Sequence, residues 1–179
     1  CVNVAQSRDI INTLGGVTIE LTQAEADLIN ENSGESYERW VSEGTQRLTG
    51  KQAWYYGRIR AIGNDQARTE RQRKVIESVV DNLKSKDLFT LNSILAQVLG
   101  QMSTNMSRNE VLALVANAMT YLNYPIESTR LPVDGTYNGS GDWVYIGGLS
   151  QNVIIPDLQA NSEHLVEFLY EDDIPEKIR

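Results

Sequence analysis

The chain has 179 residues, of which 41% are hydrophobic and 22% charged, and its formal net charge is −8. That size suits one domain. Nothing approaches the roughly 18 consecutive apolar residues of a membrane span, and the acidic balance argues against nucleic acid as a partner. The single cysteine, Cys1, leaves no internal disulfide or cysteine-rich metal site. The single histidine, His164, sits in a late amphipathic stretch and reads as a helix-surface or half-buried residue rather than a catalytic base. No basic segment followed by an apolar run is visible, so no secretion signal is read.

In chain order, the first predicted element is a short helix over residues 7–16. Ser7 can cap it, Ile10, Ile11 and Leu14 share a face, and Gly15 and Gly16 stop it. Val17 to Leu21 alternates as a half-buried strand does. Thr22-Gln-Ala-Glu25 is a capping-box pattern that opens a helix to about Asn30. Residues 31–47 are polar, contain Gly34 and Gly44, and read as a loop. A second capping-box pattern, Thr49-Gly-Lys-Gln52, introduces a short helix over Gln52 to Tyr56, which Gly57 ends. Arg58-Ile59-Arg60 is then extended, so Arg58 and Arg60 project from one face.

Six of the sixteen Lys and Arg residues lie in the seventeen positions from Arg58 to Lys74, and five of those six are arginine. Set against Asp65 and Glu70, they leave this stretch at +4 within an acidic chain. Crowded guanidinium groups repel one another unless an anion relieves them, and their planar fork grips phosphate oxygens through two parallel hydrogen bonds. The cluster therefore points to an anionic, phosphorylated ligand. Asp65 is the predicted N-cap of a long helix from Gln66 to Lys84 whose apolar stripe is Ile76, Val79, Val80 and Leu83. At about 100° per residue, Gln72 lies about 40° and Arg68 about 80° from Ile76. Both are expected to lean inward, with Arg71 further round. The helix N-terminus adds N–H donors and partial positive charge.

Downstream, residues 88–102 read as an apolar helix, and Ser107-Arg-Asn-Glu110 is a capping-box pattern for a helix to about Leu122. Plain core packing is the simplest role for both, and lining a lipid tunnel is the sharper one, with Met102, Met106 and Met119 as adaptable lining. Residues 126–133 and 143–147 read as strands joined by a turn-rich segment, and Asn161 to Tyr170 closes the chain as an amphipathic helix. Intermingled helices and strands favour a layered α/β domain over residues 1–179.

Three blocks of this sequence resemble the LytR-CpsA-Psr family. They are Asn12-Thr-Leu-Gly-Gly-Val-Thr-Ile-Glu20, Leu48-Thr-Gly-Lys-Gln-Ala-Trp-Tyr-Tyr-Gly-Arg-Ile-Arg60 and Asp65-Gln-Ala-Arg-Thr-Glu-Arg-Gln-Arg73, in the family's order and at suitable spacing. The Arg-x-Arg segment followed by Asp-x-x-Arg-x-x-Arg-Gln is the specific part. The resemblance implies a mixed β-sheet flanked by helices, with a lipid tail in an apolar tunnel and Mg²⁺ at a pyrophosphate. By the motif match, Arg58, Arg60, Arg68 and Gln72 correspond to residues that hold the pyrophosphate, with Arg71 nearby and Asp65 orienting an arginine or capping the helix. Gln66-Ala67 stands where an aromatic-Gly pair is more usual. The resemblance covers about residues 2–170 and only the later part of the family domain. The early strand, the carboxylate pair for Mg²⁺ and the Arg-x-Asp-Thr segment of the first half are not seen here, so no metal ligand is expected in this chain.

The activity the resemblance implies is extracytoplasmic and mainly Gram-positive. A glycopolymer, teichoic acid or capsular polysaccharide, passes from a polyprenyl-pyrophosphate carrier to peptidoglycan, and the membrane is reached through an anchor absent from this sequence. Nucleic acid is not an expected partner. The alternative is a non-catalytic module that binds the carrier or an anionic polymer without turnover.

Overall fold

The first helix, α1 (Val4–Thr13), begins earlier than the sequence pattern places it. In this computed structural model, which describes residues 3–99, 103–138 and 142–170, the cap is Asn3. Its side chain accepts from the Gln6 amide, and the Gln6 side chain accepts from the Asn3 amide in return. Ser7 lies inside the helix, with its hydroxyl donating to the Val4 carbonyl. Gly15 and Gly16 then turn the chain with φ of 85° and 98°. A Cβ on Gly16 would stand 2.6 Å from the Leu48 carbonyl oxygen, so both conformation and packing require glycine there.

Strand β1 (Val17–Leu21) buries alternate residues as expected. Helix α2 (Gln23–Asn32) opens on the Thr22–Glu25 capping box. The polar stretch expected to be loop contains a 3-10 turn at Tyr37–Arg39 and a second strand, β2 (Gly44–Leu48). It runs antiparallel to β1, with Val17 opposite Leu48 and Leu21 opposite Gly44. Of its five residues only Leu48 is buried, so backbone pairing rather than an apolar alternation makes it a strand. Helix α3 (Gly50–Tyr56) follows, opened by the Thr49–Gln52 box and ended at Gly57.

Helix α4 (Asp65–Lys84) is capped by Asn64, whose side chain accepts from the Ala67 amide, so Asp65 is the first helical residue and not the cap. The face it turns inward also differs from the expected stripe. Ile76 is 64% exposed, whereas Arg71 is buried and Val75 and Val79 pack on the core. Polar groups complete this face. The Thr18 amide donates to Ser78 Oγ at 2.8 Å, and Asn82 Nδ2 donates to the carbonyls of Gly16 at 2.8 Å and Leu14 at 3.2 Å. Backbone groups along the outer edge of β1 need partners, and α4 supplies them with side chains. Asn82→Ala should therefore cost about 1–2 kcal/mol, and Ile76→Ala less than about 0.5, in urea unfolding.

Helix α5 (Leu88–Leu99) buries Leu91 and Ile94; residues 100–102, with Met102, lie outside the described residues. The helix expected to reach Leu122 is divided at Asn117 into α6 (Arg108–Ala116) and α7 (Ala118–Leu122). Core packing is not seen for α6, which buries no described side chain and leaves Leu112 and Leu114 exposed.

The chain divides into two compact units, Cys1–Ile126 and Glu127–Arg179. The core of the first gathers Ile11, Val17, Ile29, Leu48, Tyr56 and Ile59 from α1, the sheet, α2, α3 and the segment after it. The second contains the hairpin β3 (Asp142–Ile146) and β4 (Leu149–Val153), closed by the two-residue turn Gly147-Gly148 with both φ positive. Helix α8 (Leu158–Tyr170) completes it. The strand expected over 126–133 is irregular. Its Val133 amide donates to the side chain of buried Asn161, which also donates to Thr136 Oγ1, so a side chain takes the place of a strand partner. His164 pairs with Thr129 at 2.7 Å, as a half-buried helix residue would. The whole is a mixed α/β arrangement of eight described α-helices and two small antiparallel sheets. Among the described residues no helix is long and apolar enough to cross a membrane.

Candidate anion-binding site

Tertiary structure divides the arginine cluster into two groups with different partners. Arg71 is 7% exposed, and each of its three guanidinium nitrogens donates a hydrogen bond. Nε donates to Glu25 Oε1 at 2.8 Å, one terminal nitrogen to the Ile59 carbonyl at 3.2 Å, and the other to the Ile62 carbonyl at 3.0 Å. Arg71 was expected near the anion; instead it fastens the segment that carries Arg60 to the core. Burial pushes the Glu25 carboxyl up, but the Arg71 hydrogen bond, the Thr22 amide and hydroxyl and the Arg71 charge outweigh it and hold it below its usual value. Burial, and then the Glu25 charge, push the Tyr56 phenol up to about 12, so its hydroxyl stays neutral.

Arg58 and Arg60 have no such partner. Among the described residues neither forms an ion pair, and both are exposed on either side of buried Ile59. The out-in-out alternation expected of this segment is present without a strand. Both arginines line one cavity of about 330 Å³ with Leu28, Trp54 and Tyr55. Arg58 also lines a second, of about 270 Å³, with Gln72 and the apolar side chains of Ile11, Ala53, Val75 and Ile76. Gln72 is more exposed than the helix wheel implied. Its amide donates to the Gly57 carbonyl at 3.1 Å, which ties α4 to the end of α3 just before Arg58.

Arg68 stands one turn before Gln72 on the same helix. Its terminal nitrogen meets Asp65 at 2.8 Å, while its Nε is buried without a hydrogen-bond partner. Asp65 thus holds Arg68, and with 71% of the carboxylate side chain exposed the pair contributes only about 0–1 kcal/mol. The fold joins Arg58 to Arg60 in one cavity and to Gln72 in the other. It places Arg68 beside Gln72 on α4 and sends Arg71 inward.

Two residues of this region went unread in the sequence. Trp54 carries the Arg58 guanidinium 4.3 Å from its ring centroid, and the Arg8 guanidinium from α1 lies 4.2 Å from it. The aromatic run Trp54-Tyr55-Tyr56 just before Arg58 was a usable signal for the first contact. Nothing local pointed to Arg8.

Three carboxylates are each taken by an arginine of the cluster: Glu25 by Arg71, Asp65 by Arg68, Glu70 by Arg73. Among the described residues no three metal-ligating side chains gather. These residues do not fit a divalent cation. What the site offers is guanidinium charge above a partly apolar floor.

Solved structures share this fold. Bacillus subtilis TagV matches with a TM-score of 0.65 at 22% identity, over 96% of this chain and 62% of that one. The structure of TagT bound to LIIa-WTA matches at 0.64 and 20%, over 97% and 59%. The Lin1025 protein from Listeria innocua matches at 0.59 and 21%, over 97% and 65%. The chain thus spans about three fifths of the length of these relatives. No curated protein sequence matches it. The model of the LytR_cpsA_psr family matches residues 1–155, which take in the first compact unit, part of the second and all three sequence blocks, and the chain belongs to that family.

Proposed function

We propose that this chain holds the pyrophosphate of a polyprenyl-linked glycopolymer and serves its transfer to peptidoglycan in the cell envelope. The observation that carries the reading is Arg58: a guanidinium that forms no ion pair among the described residues and is shared by two adjoining concavities, one with Arg60 and one with Gln72 over an apolar wall. Such a pairing suits a ligand with a charged head and an apolar tail. TagT, a structural relative, was captured with LIIa-WTA, which supports a teichoic-acid-type polymer as the cargo.

In the transfer, an acceptor hydroxyl attacks the sugar-bearing phosphorus, the bond to the lipid phosphate breaks, and the lipid phosphate leaves with added negative charge. Arg58 and Arg60 stabilise that charge in place, the kind of preorganised electrostatics that dominates phosphoryl transfer. Arg68, released from Asp65 at little cost, joins them beside Gln72. The general base and the Mg²⁺ that the family implies are not assigned to Glu25, Asp65 or Glu70, because each of these already holds an arginine.

That last point also favours a second reading, a module that binds the carrier without turnover. A mass-spectrometric transfer assay with Mg²⁺ separates them, since the module binds carrier yet forms no product. The site itself is tested by titration with pyrophosphate. Arg58→Ala and Arg68→Ala should each weaken binding by about 1.5–3 kcal/mol for the lost charged hydrogen bond. Both should leave the ligand-free protein as stable as before or slightly more so. Unchanged affinity in both variants would remove the site.

A further inference from the structure

We propose that Arg8 is a further guanidinium of this anion site, and that Trp54 positions it against Arg58. The inference rests on the phosphate-binding reading above and extends it to a helix that reading does not use.

Arg8 and Arg58 come from different elements, α1 and the segment after α3, yet each guanidinium carbon lies within 4.3 Å of the same indole centroid. The two cations are thus no further apart than twice that distance. The ring attracts each of them, and their mutual repulsion is left unanswered, because among the described residues neither forms an ion pair. Arg8 Nε, a strong donor, is buried without a hydrogen-bond partner.

Backbone contacts fix where Arg8 starts. Gly50 has no Cβ and lies against the Arg8 backbone, and its amide donates to Asn12 Oδ1 at 2.8 Å, so α1 and α3 are locked side by side. Ser7, next to Arg8, lines the cavity that holds Arg58 and Gln72. Arg60 lines the other cavity. A diphosphate spanning Arg58 would then meet Arg60 at one phosphate and Arg8 at the other. The ligand class is a diphosphate or a pair of linked phosphodiesters, in preference to a single phosphate.

The test is calorimetric titration of the full chain with inorganic pyrophosphate and, separately, orthophosphate. Arg8→Ala should weaken pyrophosphate binding about tenfold, the size of one net charged hydrogen bond, and orthophosphate binding far less. Arg8→Lys should restore part of the loss, because a point charge cannot reproduce the planar fork. The thermal midpoint of Arg8→Ala should equal or exceed that of the parent, whereas a structural arginine would lower it. If it falls, Arg8→Gln, which retains most of the side-chain length, carries the comparison. Trp54→Leu should also weaken pyrophosphate binding, and in that background Arg8→Ala should cost less than it does alone.

Undiminished pyrophosphate affinity in Arg8→Ala, with loss in Arg58→Ala, overturns the role of Arg8 and leaves the main site standing. Additive effects of Arg8→Ala and Trp54→Leu overturn the positioning role of Trp54. A parent chain that binds no pyrophosphate overturns the underlying reading and this inference together.

Discussion

Arg71→Ala should destabilise the protein by about 3–5 kcal/mol in urea unfolding, the range for breaking a buried ion pair by removing one partner. The substitution strands the Glu25 carboxylate, whose side chain is 12% exposed, and removes the donors that satisfy the Ile59 and Ile62 carbonyls. Glu25→Ala should be comparably costly, because it leaves the guanidinium buried and unpaired. Replacing both residues with apolar ones of similar volume, Glu25→Leu with Arg71→Met, should recover much of the loss. The pH dependence has a definite sign. The Glu25 value is lowered on folding from the ordinary 4.5, so its stabilisation is complete above that value and is lost as pH falls through the lower folded one. Glu25→Gln should lack this acid limb in unfolding midpoints taken between about pH 7 and pH 3. Arg71→Ala should also weaken pyrophosphate binding without Arg71 touching the ligand, since residues 59–62 would lose the anchor that aims Arg60.

Gly50→Ala should cost about 3 kcal/mol, at the upper end of overpacking penalties. An added Cβ would collide with the Arg8 carbonyl oxygen and stand 2.7 Å from its Cα, and these are backbone atoms that cannot swing aside. Helix α1 would have to withdraw from α3, breaking the Gly50–Asn12 hydrogen bond. Gly57→Ala is the control, because its Cβ would meet the flexible Gln72 side chain at 3.4 Å and its φ is an ordinary −66°. It should cost less than about 1 kcal/mol in the same measurement. If Gly50→Ala matched it, the close approach of α1 and α3 would not be a constraint on the fold.

Much of the local structure could be read directly. The Thr22–Glu25, Thr49–Gln52 and Ser107–Glu110 boxes each open a helix where their residues stand, and β1 shows its alternation. The errors share a cause. Strand β2 has only one buried side chain, and the start of α4 has two adjacent cap formers, Asn64 and Asp65, of which sequence alone could not choose. The wheel on α4 assumed an apolar inner face, whereas the edge of β1 selects Ser78 and Asn82 as partners and leaves Ile76 outside. In the β3–β4 hairpin, Gly147-Gly148 was a readable turn signal that led to a strand not anticipated, β4.

The concentration of arginines between Arg58 and Arg73, and the phosphate chemistry it suggests, belonged to the sequence by itself, because charge density and side-chain shape are properties of neighbouring residues. Which arginines stay available was decided only by the tertiary structure. Glu25, forty-six positions from Arg71, claims that guanidinium for the core, while among the described residues Arg58 and Arg60 form no ion pair. Arg8 enters for the same physical reason. A charge acts on whatever lies within a few ångströms, and folding, not sequence separation, sets that distance.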